Sequence, residues 1–269
     1  MPTPETTDWR PRALPLTLAA CLTLGLFVDP VRAADAGPGA DQDANDASEP
    51  TRFLAHARKK ITGLTNKFRR DQGEPPLATN EMLIDTARDF AAFMARTGQY
   101  GHQADGQTPA ARARAHGYDL CLIAENIGWQ QIPTEIEPEA LAAAFVDGWK
   151  DSPGHRANML IGAAREIGAA LSESQRSGRF YAVQLLGRPA SMSTEFRIIN
   201  DARVDVTYSL GEREYRLPPR LRRTHQICKP SPLRVQWPNG QEAAAVTPED
   251  GQQFHIMRDA AGELHLREE

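Results

Sequence analysis

The spacing of apolar residues changes period part-way along this chain, and that change restricts the fold more than any other feature. Leu54, Ala57, Ile61, Leu64 and Phe68 recur every three or four residues, one apolar stripe of an amphipathic helix. Gly73 and the pair Pro75-Pro76 close it. A second stripe, Leu83, Ala87, Phe90, Ala91 and Met94, follows Asn80 as N-cap and stops at Gly98. TPAARARAHG (108–117) has threonine as cap, proline at the first helical position and glycine at the exit, which predicts a short third helix. EPEALAAAFVDGWK (137–150) starts a fourth at Pro138, burying Leu141, Phe145 and Trp149, and Ser152 caps a fifth that opens with Pro153. Two strand-like runs follow, EIGAAL (166–171) and RFYAVQLLG (179–187), joined at Ser177-Gly178. Helices framing an antiparallel sheet predict an α/β/α sandwich over residues 51–189.

After Met192 the texture becomes alternating. FRIIN (196–200), VDVTYSL (204–210), REYRL (213–217), LRVQW (233–237), AAAV (243–246), QFHIM (253–257) and LHLR (264–267) are short and separated by turn residues. Asn239-Gly240 is the strongest hairpin signal among them. Residues 193–269 are therefore expected to form a small all-β sandwich or barrel, and the chain as a whole is α+β.

The N-terminus reads as an address. Arg10 and Arg12 precede the apolar run ALPLTLAACLTLGLFV (13–28), and VRA (31–33) is followed by Ala34, so residues 1–33 are expected to be a secretory signal peptide. The run contains Pro15 and is short for a membrane span, so no span is expected in the mature chain. A second reading takes LAAC (18–21) as a lipoprotein box with Cys21 acylated. Residues 34–50, rich in Asp, Ala, Gly and Pro, carry no large apolar side chain and are expected to be a flexible leader. Both readings export the protein to a periplasmic or extracellular compartment, where Cys121 and Cys228 either pair or stay as buried thiols. With 31 Lys+Arg against 35 Asp+Glu and a net charge of −4, the balance excludes a generic nucleic-acid binder.

Four pieces of the helical half stand out: NKFRRDQGEPPL (66–77), GH (101–102), AENIG (124–128) and WKDSPGHRAN (149–158). In this order, with EIGAAL and YAVQLLG behind them, residues 54–187 resemble the CAP superfamily, the cysteine-rich secretory, antigen-five and pathogenesis-related proteins (SCP domains), in its compact bacterial branch. The resemblance implies a cleft lined by two histidines and acidic residues, here His102, His155 and Glu125. Members with two histidines and two glutamates bind zinc or another divalent ion through the histidines, which would make His102 and His155 the metal ligands. The second acid is missing: Ser152 stands three positions after Trp149, with Asp151 beside it as the substitute.

The chemistry of these residues stands apart from the family name. At the third position of a helix, beside unpaired backbone N–H groups, an imidazole tends to its neutral form, so His155 is expected to be uncharged. Two neutral imidazoles and a carboxylate form a first shell for zinc with one position left for water. Without metal, Glu125 orients an imidazole that activates water. His102, Glu125 and His155 are thus the ligand-binding and candidate catalytic residues. Asn126, Asn158 and Arg156 read as structural, Asn66 and Arg69 as pins on the polar side of the first helix, and His56 and His116 as solvent-facing. REYRLPPRLRRTHQICK (213–229) holds seven cations, counting His225, against one glutamate, either a solvated strand pair or a patch for an anionic envelope polymer. The expected function is an exported module whose His/Glu cleft binds a small ligand, a lipid or a divalent metal, with the β half making envelope or partner contacts. A hydrolase built on His102, Glu125 and His155 is the alternative.

Overall fold

A computed structural model describes residues 49–132 and 135–269. The expected signal peptide, the lipidation box at Cys21 and nearly all of the expected leader lie outside the described residues. Residues 54–269 form one compact unit. Helix α1 (Glu49–Asp71) begins one turn before the predicted stripe and contains the last two residues assigned to the leader.

Helices α2 (Glu81–Thr97), α3 (Pro109–Ala115), α4 (Pro138–Asp151) and α5 (Pro153–Met159) form where spacing and caps predict them. Asn80 and Thr108 accept the expected capping bonds from Leu83 N and Ala111 N, and Gly98 ends α2 in the left-handed conformation. Ser152 departs from expectation: it occupies the N-cap of α5 but its side chain makes no capping bond. The sheet has the order β1-β3-β4-β2, from Ala78–Thr79, Glu166–Glu173, Arg179–Pro189 and Leu120–Gln131. The β3–β4–β2 part is antiparallel, and β1 joins β3 in parallel. β2 is absent from the sequence-based expectations, since DLCLIAEN shows no alternation. It is an edge strand gripped on both faces.

Alternation along β4 sorts the layers. Tyr181, Val183 and Leu185 join the core under α2 with Leu83, Phe90 and Met94, each buried side chain contributing about 1.5–3 kcal/mol. Gln184, between them, faces α1, where its amide donates to Thr65 Oγ1 at 2.8 Å. Helix α2 lies so close to β3 that a Cβ on Gly168 would sit 2.2 Å from the Leu83 carbonyl carbon. Arg69 is not on a polar face. Fully buried, it donates to the carbonyls of Pro75, Met159 and Ile161 and ties the end of α1 to the end of α5.

The second half is β throughout. β5 (Thr194–Asn200), β8 (Arg222–Ile227), β10 (Gln253–Arg258) and β11 (Leu264–Glu268) form a sheet in the order β11-β10-β5-β8, with β5 and β10 parallel. β6 (Val206–Leu210), β7 (Arg213–Leu217) and β9 (Leu233–Gln236) form a second sheet in the order β7-β6-β9. Phe196, Ile198 and Phe254 of one sheet and Tyr208, Leu233 and Val235 of the other share one core. AAAV (243–246) is not a strand; Val246 makes only an isolated bridge to Leu233. The basic run 222–227 is one, its inward position filled by His225 against Phe196 and Tyr208. Cys121 and Cys228 are disulfide-bonded with Cα atoms 5.3 Å apart, which settles the open choice between a bridge and two thiols.

Two outcomes follow from these features. Because the bridge closes 107 residues of sequence, Cys121→Ser/Cys228→Ser should lose about 2–5 kcal/mol, measured by urea unfolding in a non-reducing buffer. Burial, then the Arg223 charge, hold the His225 ring below its usual value of 6.5, while burial pushes Tyr208 up to about 12. The unfolded ring therefore binds a proton that the folded ring refuses, so stability is full above about pH 6.5 and falls as pH drops through the window below it. His225→Gln should flatten that part of the stability–pH curve.

Candidate functional site

Among the described residues β2 has a strand neighbour on one side only, so alternate carbonyls point away from the sheet and need donors from elsewhere. Glu125 O accepts from Asn158 Nδ2 at 3.1 Å, and Ile127 O from Trp149 Nε1 at 3.1 Å and Tyr100 Oη at 3.4 Å. Helices α4 and α5 and the loop after α2 are thereby drawn to the strand edge. The loop turns at Gly101, whose φ of +142° disfavours any side chain, and the next residue is His102.

The Glu125 side chain extends into the layer under α2, 2 % exposed, and both oxygens are engaged. Oε1 meets His102 Nδ1 at 2.8 Å, and Oε2 accepts from Arg112 Nη2 at 2.7 Å. Arg112, 5 % exposed, also donates to Asp105 Oδ1 at 2.8 Å, Gln107 O at 2.9 Å and His102 O at 3.0 Å, and its guanidinium lies 3.5 Å from the Phe90 ring centroid. Arg112 thus neutralises the buried acid and fixes the backbone of the histidine that the acid orients. Among the described residues its Nε has no hydrogen-bond partner.

His155 arrives from the other side. Asn126, on the opposite face of β2 from Glu125, donates to His155 O at 3.2 Å and to Gln184 Oε1 at 2.9 Å, and accepts from Asn158 at 2.9 Å. A chain of side chains therefore runs from Thr65 of α1 through Gln184 and Asn126 to α5. Burial, and then the charge of His102, hold the His155 ring below its usual value, so at neutral pH it is uncharged. The helix N-terminus predicts the same direction from sequence. The operative causes are burial and the neighbouring histidine, with α5 only seven residues long.

The structure joins His102 to Glu125 by a hydrogen bond and brings His155 within electrostatic reach of His102. Asp151 stands apart. It is exposed at the end of α4, and no hydrogen bond or ion pair links it to either histidine. The three-residue metal shell is also revised, because neither Glu125 oxygen is free. Among the described residues no group of three or more His, Cys, Asp and Glu side chains is arranged to hold a metal ion. His56 and His116, expected to face solvent alone, pair with Glu139 at 3.0 Å and Asp89 at 3.4 Å. Sequence reasoning misses Arg112 and Gln184. Arg112 sits in ARARA, where nothing separates a buried arginine from an exposed one. A cavity of about 180 Å³ shares Arg112 with the site and is lined by Thr86, Asp89, Phe90 and His116, but by neither His102 nor His155.

Comparison with known proteins follows this geometry. Residues 62–186 match the model of the cysteine-rich secretory protein family, CAP. This part of the chain is a CAP domain. Over 157 residues the chain is 29 % identical to the uncharacterized protein YkwD of Bacillus subtilis, covering 58 % of this chain and 56 % of that protein, so the chain spans little more than half of its relative's length. Among solved structures, an extracellular protein containing an SCP domain from Bacillus anthracis is 22 % identical, with a TM-score of 0.45 over 54 % of this chain and 45 % of that one. An outer surface protein from Borrelia burgdorferi is 19 % identical, with a TM-score of 0.43 over 49 % of this chain and 92 % of that one.

Arg112 is the member of the CAP cluster whose removal is most informative. Arg112→Leu leaves the buried Glu125 carboxyl without its main partner, and should cost about 3–5 kcal/mol in urea unfolding. Arg112→Leu/Glu125→Leu should recover a large part of that loss, because the stranded polar group goes with the side chain.

Proposed function

We propose that this chain is an exported CAP module that binds a small ligand through the imidazoles of His102 and His155 at the outer edge of β2. The observation that carries this reading is the His102 Nδ1–Glu125 Oε1 bond, locked from behind by Arg112. In the tautomer that gives Nδ1–H to the carboxylate, Nε2 is left as an acceptor on a ring that is half exposed. A site held this rigidly loses little freedom when a ligand arrives. Export is supported by the N-terminal sequence and by the Cys121–Cys228 bridge, since such bridges persist in oxidising compartments. Among the described residues no helix is long and apolar enough to cross a membrane. The β half supplies envelope or partner contacts.

A divalent ion such as zinc suits the same two rings, with His102 and His155 holding it and Glu125 setting the tautomer of His102. When bound, it would polarise a ligand oxygen. A second reading, a hydrolase, rests on the Glu125–His102 pair, in which a carboxylate-oriented imidazole takes a proton from water. Cys121 is committed to its disulfide and is not a nucleophile.

Zinc is a practical probe of the pair. Calorimetric titration should show one site per chain, lost in His102→Ala/His155→Ala and weakened about 10–100-fold in Glu125→Gln. Uptake identical in wild type and the double variant would remove the site. Turnover of a peptide substrate that disappears in His102→Ala while zinc binding survives in Glu125→Gln would favour the hydrolase.

A further inference from the structure

The β half presents a cluster of arginines that the cleft does not use. Arg220, Leu221, Arg222, Arg223 and Thr224 are five consecutive exposed residues, leading into and along β8. β8 is an edge strand of its sheet. Among the described residues, no carboxylate lies within ion-pair distance of Arg213, Arg220, Arg222 or Arg223, whereas Arg216 is held by Asp205 at 2.7 Å. Arg213 and Tyr215 share a face of β7, and the Arg223 guanidinium lies 5.2 Å from the Tyr215 ring centroid. Arg222 projects from the opposite face of β8, diagonal to Arg197 across β5. Glu214 lies on the face of β7 away from Tyr215.

The turn that starts this run is both rigid and strained. Leu221 N donates to Pro218 O, Pro219 takes the second position, and Arg220 occupies the third with φ of +62°. That position favours glycine or asparagine. Arg220 is the one non-glycine described residue with positive φ, so its backbone gives no reason for an arginine there. Buried Asn200 holds the turn from beneath. Its carbonyl accepts from Arg220 N at 2.8 Å, its N–H donates to Leu221 O at 2.9 Å, and its side-chain amide donates to Leu217 O at 2.8 Å. Leu221, 52 % exposed, is the most exposed large apolar residue described.

We propose that residues 218–223 dock this chain on an anionic phospholipid surface, with Leu221 entering the headgroup layer and Arg220, Arg222 and Arg223 pairing with phosphates. Arginines alone would suit any polyanion. An exposed leucine set among them, on a backbone that needs no further ordering, gains only from an apolar layer behind the charge. The proposal names the partner of the β half and rests on the exported reading, but on nothing in the cleft.

The test uses the chain from Ala34 onward, which keeps the whole 54–269 unit, and sedimentation with vesicles of phosphatidylglycerol and phosphatidylcholine or of phosphatidylcholine alone. Binding is expected only to the anionic vesicles, weakening as salt is raised. Arg222→Gln and Arg223→Gln should each lower partitioning about fivefold. Arg220→Gly should do the same while raising the melting temperature, because it relieves the turn. Leu221→Ser should weaken vesicle binding without changing retention on immobilised polyphosphate. No binding to anionic vesicles, or equal binding to both kinds, overturns the proposal. So does a Leu221→Ser chain that binds vesicles as wild type does while the arginine variants lose vesicles and polyphosphate alike, which assigns the patch to a soluble polyanion. His102→Ala/His155→Ala should partition as wild type, so failure here and failure of the cleft reading are distinguishable.

Discussion

An edge strand must have its outward backbone groups satisfied, and in this CAP domain that requirement assembles the site. Among the described residues β2 pairs with β4 on one side and with no strand on the other. Covering the free edge with a fifth strand would have buried it uniformly. Side chains do it instead: Asn158 on Glu125 O, and Trp149 and Tyr100 on Ile127 O. Each donor brings its own segment, so α4, α5 and the loop before His102 converge on the same few ångströms of backbone. The loop that carries His102 and the helix that carries His155 are both drawn to that edge by these bonds.

The electrostatics follow from the same geometry. Glu125 and Asn126 are adjacent in sequence and point to opposite faces of the strand. One enters the layer under α2 and the other the layer under α1. A lone carboxylate at 2 % exposure would not stay ionised without a counter-charge, and Arg112 provides it over the Phe90 ring. The acid is thereby neutralised before His102 reaches it. It fixes a tautomer and contributes little net charge to the outer face, where His155 also stays neutral.

How much of this is legible in the sequence depends on the range of the interaction. Local rules locate α2 to α5 within a residue or two, because caps and stripes act over one or two turns. His102, Glu125 and His155 are legible only through the order of four motifs, since spacings of 23 and 30 residues hold no local signal. Arg112 is invisible: its burial is decided by Asp105, Gln107 and Glu125, none of which a helical period reports. β2 escapes for a related reason. A strand gripped on both faces has no polar side, so its apolar run reads as a core segment of any kind. In the β half, alternation finds most strands; β8 is legible only as part of a basic strand pair, because Arg222, Thr224 and Gln226 take one face and Arg223 shares the other with His225.

The disulfide joins these two halves at an instructive place. The register of β2 on β4 slips between Leu120 and Leu122, so Cys121 is the extra residue of a bulge. A bulged residue is free of the ladder and turned out of it, and Cys228 lies just past the end of β8. The bond therefore runs from the strand that carries Glu125 to the strand that carries Arg222 and Arg223. Hydrogen bonds from Ala190 N to Asp119 O and from Gln226 Nε2 to Ser193 Oγ bind the same junction. Besides stabilising the folded unit, the bridge and these bonds hold the arginine edge and the histidine edge in fixed relation. That is the property a module needs if it is to rest on a surface by one edge and present a cleft from the other.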